Sequence, residues 1–349
     1  MGKESYIFAA VAGYVGRPEA EGKVGVFRRP VKGGDWQQVL TAPETHTVMV
    51  HPANADIVLA GTTDGVWISE DHGASFKRAD FPDTIQIWSF LIDRRDPKRI
   101  IAGASPVNFY ESRDMGRSWK ALPDSGIKER EKCAFRHRAM RMVQHPTRPD
   151  EIFAALEVNG VVRSKDFGQT WSDCSEHLIE LSKLPHLKSQ ILTKNDAEGM
   201  LDGHAIDISP ADPDGVVLAC RMGLFRSRDE GKSWRDMEMK NFSPVTYGRD
   251  IKVSPQDPNV VYCALSVSAA SHDGLLLKST DAGRSWKRFD KVQVHGTVMS
   301  IGLNAGNPDE IYLGARYKGE VFATQDGGKT WNAMHIPGPI KDIYCVTSG

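Results

Sequence analysis

The chain has 349 residues, 40% of them hydrophobic and 26% charged, with 44 Lys and Arg set against 45 Asp and Glu. Such a chain can bury a large core, which excludes disordered and collagen-like classes. Its formal net charge of −1 provides no overall field for nucleic acid or an acidic membrane, so neither is an expected partner.

In chain order, residues 1–13 are too short and too soon interrupted for a secretory signal or a spanning helix, so a cytoplasmic location is expected. Three candidate strands follow, at 6–11, 24–28 and 36–40. From there a repeat takes over. Ser69-x-Asp71-x-Gly73-x-Ser75-Phe76 recurs with Asp114 and Trp119, Asp166 and Trp171, Asp229 and Trp234, Asp281 and Trp286, and Asp326 and Trp331. An eroded copy spans 29–36, with Val31 in place of the aspartate. A short carboxylate can accept backbone N–H groups of its own turn, so the six aspartates read as structural. Six of the eight tryptophans close such a segment, and core packing is their expected role.

Glycine-to-glycine spacings of 40, 43, 52, 63, 52 and 45 residues suit a four-stranded antiparallel blade with variable loops. In the second period strands are expected at 47–50, 57–61, 65–69 and 75–77. One further strand at 341–346 joins the three at the N-terminus, so the fold is all-β: a seven-bladed propeller over 1–349, closed by a C-terminal strand. The five cysteines, 133, 174, 220, 263 and 345, lack a Cys-x-x-Cys pair and read as reduced thiols.

These segments resemble the Asp-box (BNR) repeats of sialidases, sortilin-like receptors, xyloglucanases and the photosystem II stability factor. The pattern looks closest to the xyloglucanase and sortilin branch. The resemblance implies ligands at the mouth of the central channel, on the face carrying the D-to-A and B-to-C connections. Aligning the blades puts His46, Trp88, Met140, His204, Arg249 and Met299 at one inner-strand position, with Arg136, His137, Arg138, Asp202, Tyr247, Asp250, His295 and Lys341 close by. The B-to-C loops add Glu157, Arg221, His272, Arg316 and Tyr317.

Histidine supplies a near-neutral base, and arginine grips oxyanions. The expected catalytic groups are His46, His204, Tyr247 and Arg249, and the expected substrate contacts are Trp88, Arg138, Glu157, Arg221 and Arg316. His46, His137, His204 and His295 form an alternative site for a divalent metal (Mn, Fe, Zn or Cu). The long connection at 172–203 is expected to be a lid or a partner-contacting flap, with a short helix at 175–184 capped by Ser175 and a polar, mobile stretch at 194–200. Charged 122–136 and small-residue 266–274 should stand on the same face. The expected function is a hydrolase or lyase, acid/base or metal-assisted, acting on a small anionic or oxygen-rich molecule. A non-catalytic binding or assembly propeller and a glycoside hydrolase are the alternatives. Phe27-Arg28-Arg29-Pro30 departs from the Phe-Arg-Ile-Pro of sialidases and lies within a strand away from the mouth.

Overall fold

The computed structural model describes residues 4–82 and 84–349. Each Asp-box is a hairpin held by its own side chains. In the first, Asp71 Oδ1 accepts the Ser75 N–H at 2.9 Å and Asp71 Oδ2 the Ser75 hydroxyl at 2.6 Å, while Ser69 Oγ accepts the Gly73 N–H at 2.8 Å. The pattern repeats at Asp114, Asp166, Asp229, Asp281 and Asp326, each with its Oδ2 2.6 Å from the following Ser or Thr hydroxyl. His72 and Gly73 both take positive φ, 60° and 73°, a pair of left-handed residues that only a tight hairpin turn requires. Because Ser75 is fixed in that turn, the outer strand begins later than expected, at Lys77–Arg78.

Seven four-stranded antiparallel sheets result. Their inner strands are Thr45–Val50, Gln86–Ile92, Arg138–Gln144, Gly203–Ile208, Tyr247–Val253, Val298–Leu303 and Asp342–Ser348, and each packs on the next around a complete ring. The ring closes as expected, since Asp342–Ser348 pairs with Tyr6–Ala12 from Ile7 opposite Ser348 to Ala12 opposite Asp342. Closure leaves no inner edge to aggregate, and the outer strands are two to four residues long. Middle strands such as Ile152–Glu157 and Val216–Cys220 are buried throughout, because each sheet is covered on both faces by its neighbours. The cores lie between blades: Phe153 and Val161 of one sheet pack with Leu218, Phe225 and Trp234 of the next. Inner strands are also stitched together, with Asp207 accepting the Val253 N–H at 2.9 Å and Asp250 that of Ile301 at 2.8 Å.

The connection after Ser172–Asp173 carries two short helices, α1 (Glu176–Leu181) and α2 (Glu198–Leu201). Ser175 sits at the N-cap of α1, but its hydroxyl does not cap the helix. It accepts the Val161 N–H at 2.9 Å instead, pinning the insertion to the blade below. The stretch expected to be mobile ends in α2, whose four residues are all buried and whose Met200 joins the Trp234 core. Among the described residues no helix is long and apolar enough to cross a membrane.

Candidate functional site

The six residues aligned from sequence share a physical feature. Every inner strand breaks register by one residue against its neighbour, and the unpaired residue is His46, Trp88, Met140, His204, Arg249 or Met299. A seventh, Tyr344, occupies the same place on the closing strand, between Ile343 and Cys345. A β-bulge re-aims the extra side chain, here toward the channel. Across part of the channel these residues pack together: His46 stacks on Trp88 at 3.7 Å, Tyr344 meets both edge-on, and Met140 and Met299 fill the remainder.

Beside this plug lies a cavity of about 480 Å³. Its lining includes Tyr14, Phe135, Arg138, Glu157, Asp202, Arg221, Tyr247, Arg249, Arg316 and Tyr344. All three excursions from the blade template reach it, through Ala134, Lys188 to Leu192, and Val267 to Ala270.

Strand register explains the charges. Arg138 lies opposite Glu157, and their side chains pair at 2.7 Å. One blade on, the equivalent positions hold Asp202 and Arg221, the same ion pair with its polarity reversed, at 2.8 Å. The next blade has Tyr247 and Ser266 there. In the following one Arg316 faces Thr297, with no carboxylate opposite. Arg316 instead donates to the Ala269 carbonyl at 2.7 Å and lies over the Tyr14 ring at 3.8 Å.

Arg249, supplied by a bulge, is 6% exposed. Its nearest carboxylate oxygen, on Glu157, is 4.0 Å away, and among the described residues no acceptor lies within hydrogen-bond distance of its guanidinium. Five cationic side chains against two carboxylates line the cavity, and Glu198 and Asp196, outside the lining, pair with Arg221 and Lys188.

His204 Nδ1 is 2.6 Å from the Gly248 carbonyl, which can only accept, so Nδ1 carries a proton. Its Nε2 then faces Asp202 Oδ2 at 3.2 Å and the Tyr247 hydroxyl at 3.3 Å. The imidazolium donates to Asp202, whereas the neutral ring accepts from Tyr247. Burial opposes the Asp202 charge, but His204 and Arg221 outweigh it and hold the carboxyl well below its usual range. Burial pushes the Tyr247 phenol far up, so it stays protonated, a hydrogen-bond donor facing the cavity.

The structure thus brings Arg138, Glu157, Arg221, Tyr247, Arg249 and Arg316 to one cavity, with His204 directly behind Tyr247. It separates His46 and Trp88 from it. Burial pushes the His46 imidazole down to about 3, so it is a neutral packing ring unsuited to near-neutral proton transfer. Trp88 is enclosed between His46 and the Arg138 guanidinium, 4.1 Å over its ring.

The four-histidine metal site is not formed. His137 is fully buried just before the strand Arg138–Gln144, His295 is only partly buried, and of the four only His204 belongs to a close group of ligating side chains. That group is Glu157, Asp202 and His204, whose ligand atoms lie within 4.8 Å of one another and could hold a metal ion. The set fits a cation poorly, because Arg138 and Arg221 already occupy a carboxylate oxygen each and Arg249 adds a third positive charge beside them.

Sequence reasoning missed Tyr344 and Glu198. Extending the blade alignment to the C-terminal strand would have found Tyr344. Nothing in the sequence marks Glu198, whose fully buried carboxylate pairs with Arg221 at 2.6 Å and accepts the N–H groups of Ile191, Leu192 and Thr193.

No family model matches the chain. A xyloglucanase, Xgh74A of Acetivibrio thermocellus, is 23% identical over 239 residues, a match covering 58% of this chain but 26% of that protein. The photosystem II assembly lipoprotein Ycf48 of a Synechococcus species is 26% identical over 153 residues, 41% of each chain. The chain thus aligns with about a quarter of the length of the xyloglucanase. Among solved structures, the GH74 xyloglucanase of Xanthomonas campestris superposes with a TM-score of 0.60 at 15% identity, covering 94% of this chain and 47% of its own. YCF48 of Cyanidioschyzon merolae gives 0.56 at 12%, covering 88% and 90%. The chain is a seven-bladed β-propeller related to the GH74 xyloglucanases and the Ycf48 propellers of the Asp-box type.

Proposed function

We propose that the cavity binds a small organic anion and that the protein is a hydrolase-type enzyme acting on it. The observation that carries this reading is Arg249: a buried guanidinium, aimed into a cavity, with no hydrogen-bond acceptor of its own among the described residues. Its donors open onto the cavity, where an incoming ligand can meet them. A bound oxyanion would supply the acceptors, and a two-oxygen head matches the fork of the guanidinium.

Catalysis rests on Tyr247, His204 and Asp202. Tyr247 presents its hydroxyl to the cavity and gives its proton to a leaving oxygen. The His204 imidazolium, held by Asp202, restores that proton, and the attacking water returns one to the pair. Arg249 and Arg316 would stabilise negative charge as it develops. The distant relationship to xyloglucanases supports hydrolysis as the reaction class; lyase chemistry finds no support among the named relatives. A glycosidase mechanism of their kind is less favoured, since it needs two carboxylates free to act across a bond, and Glu157 and Asp202 are both held by arginines. The arginine-held carboxylates and the Ycf48 relationship leave non-catalytic binding of the same anion as the second reading.

The test is a panel of small carboxylate, phosphate and sulfate esters, scored for binding by calorimetry and for turnover. Tyr247→Phe is expected to keep binding and lose turnover by at least a hundredfold, and Arg249→Met to lose binding. Turnover unchanged in Tyr247→Phe would refute the catalytic assignment, and binding unchanged in Arg249→Met would refute the site. Ligands that bind through Arg249 without any turnover would establish the second reading.

A further inference from the structure

Six large hydrophobic side chains are exposed on the described surface: Val15, Leu184, Ile191, Leu192, Phe242 and Val267. Four of them, Val15, Ile191, Leu192 and Val267, line the one cavity whose floor holds Arg249 and Arg316. Scattered exposed hydrophobics are ordinary, but these converge from three separate connections, after Tyr6–Ala12, within the 176–201 insertion, and after Val261–Ser266. Exposure is greatest at Ile191, 72%, and Val267, 60%. Exposed Ala134 and Ala270 add to this rim, and half-buried Phe135, Met222 and Ala269 continue the apolar lining. One cavity therefore offers two chemistries in depth order: guanidinium below and aliphatic or aromatic surface above.

From this juxtaposition we infer that the ligand is an amphiphilic organic acid, with a compact oxyanion head on Arg249 and Arg316 and an apolar body several carbons long under the collar of Val15, Ile191, Leu192 and Val267. The inference rests on the anion site proposed above and adds to it the character of the ligand's other end. A small hydrophilic anion such as a sugar acid or inorganic phosphate would leave the collar wet. An uncharged apolar molecule would leave Arg249 without an acceptor. Only a ligand with both ends satisfies the floor and removes the collar from water. The volume, about 480 Å³, lies within the ordinary range for small-molecule sites.

A homologous series separates the two ends. Linear carboxylates from two to eight carbons, each paired with its primary alcohol and kept below micelle-forming concentrations, are titrated into the full chain by calorimetry. Affinity should rise about fourfold per methylene, the ratio given by ~0.8 kcal/mol per buried CH2, and each acid should bind at least tenfold more tightly than its alcohol. Arg249→Met should abolish the acid-over-alcohol preference, and Ile191→Asn with Val267→Asn should flatten the rise with chain length. Acids that bind through Arg249 with no gain along the series would overturn the amphiphile while leaving the anion site intact. Alcohols binding as well as acids would overturn the anion site itself. No binding of any member, with wild type and Arg249→Met alike, would overturn both.

Discussion

Truncating Glu198 to alanine should release the inner part of the 172–203 connection without unfolding the propeller. The Glu198 side chain is fully buried at the start of α2, and its two oxygens accept the N–H groups of Ile191 at 3.0 Å, Leu192 at 2.9 Å and Thr193 at 2.7 Å, the Thr193 hydroxyl at 3.0 Å and Arg221 Nη1 at 2.6 Å. Summing charge-assisted bonds would overstate the loss, because residues 191–193 lie near the surface and can rehydrate once freed. The relevant bound is the cost of breaking one partner of a buried ion pair, about 3–5 kcal/mol. Even the lower end corresponds to an increase in local opening on the order of a hundredfold. Hydrogen exchange read by mass spectrometry on peptides covering 188–195 should show that acceleration, with an Asp-box hairpin such as 226–236 unchanged as internal control. Glu198→Gln, which keeps one acceptor oxygen, should fall between. Unchanged exchange at 191–193 in the folded alanine variant, or equal acceleration in the control hairpin, would refute the idea that one carboxylate ties this segment to the cavity wall. The same tie should weaken in acid: burial opposes the Glu198 charge, but the Leu192 and Thr193 amides and Arg221 outweigh it and hold its pKa below the usual carboxylate range, so its contribution is present above about pH 4.5 and is lost as the pH falls below that.

The channel plug gives a second pH signature. Because His46 titrates near 3 when folded and near 6.5 when free, its stabilisation is full above pH 6.5 and is lost at up to about 1.4 kcal/mol per pH unit on descent toward 3. His46→Phe, which keeps a ring stacked on Trp88, should show a correspondingly shallower fall in urea midpoint over that range; equal slopes would contradict the neutral packing role. Asp71 and Asp281, held near 2 by their Ser partners and turn amides although burial works the other way, should stabilise their hairpins fully above about pH 3.8 and lose that stabilisation as the pH falls through 2. Hairpin amide protection that declines already at pH 5 would count against the hydrogen-bonded turns as the cause. In the inter-blade core, Phe153→Ala removes a fully buried ring packed among Val161, Leu218 and Trp234 and should cost about 3–5 kcal/mol in urea unfolding. A loss under 1 kcal/mol would mean that this core is far looser than it looks.

How much of this was legible beforehand differs by level. The Asp-box hairpins, the seven periods and the closing strand were all readable, and even the ring of channel-facing residues emerged from alignment, because each is fixed by a local pattern repeated at constant offset. Roles within that ring were not. His46 and His204 are equivalent in the repeat, yet one meets the face of Trp88 and the other meets Asp202 and Tyr247. The difference lies in which residue the neighbouring blade contributes, and no periodicity encodes that. The four-histidine arrangement is not formed for the same reason. His46 and His204 share a register without sharing a point in space, while the group that does converge mixes Glu157, Asp202 and His204 from two blades.

By itself, then, the sequence determined the architecture, since a hairpin stabilised by its own Ser, Asp and Gly needs nothing distant, and stacking such units buries a continuous core. It also determined that arginine would be frequent at the inner ends of the strands. Tertiary structure alone decided which of those arginines are neutralised. Arg138 and Arg221 are paired because a carboxylate happens to lie opposite in register, Arg316 has no ion partner because Thr297 stands there, and Arg249 has only the 4.0 Å approach of Glu157 because a bulge turns it away from its own sheet into the cavity. Charge balance at a site depends on contacts between strands far apart in sequence, so a chain with a net charge of −1 can gather four arginines at one cavity and leave Arg316 among them without an ion partner.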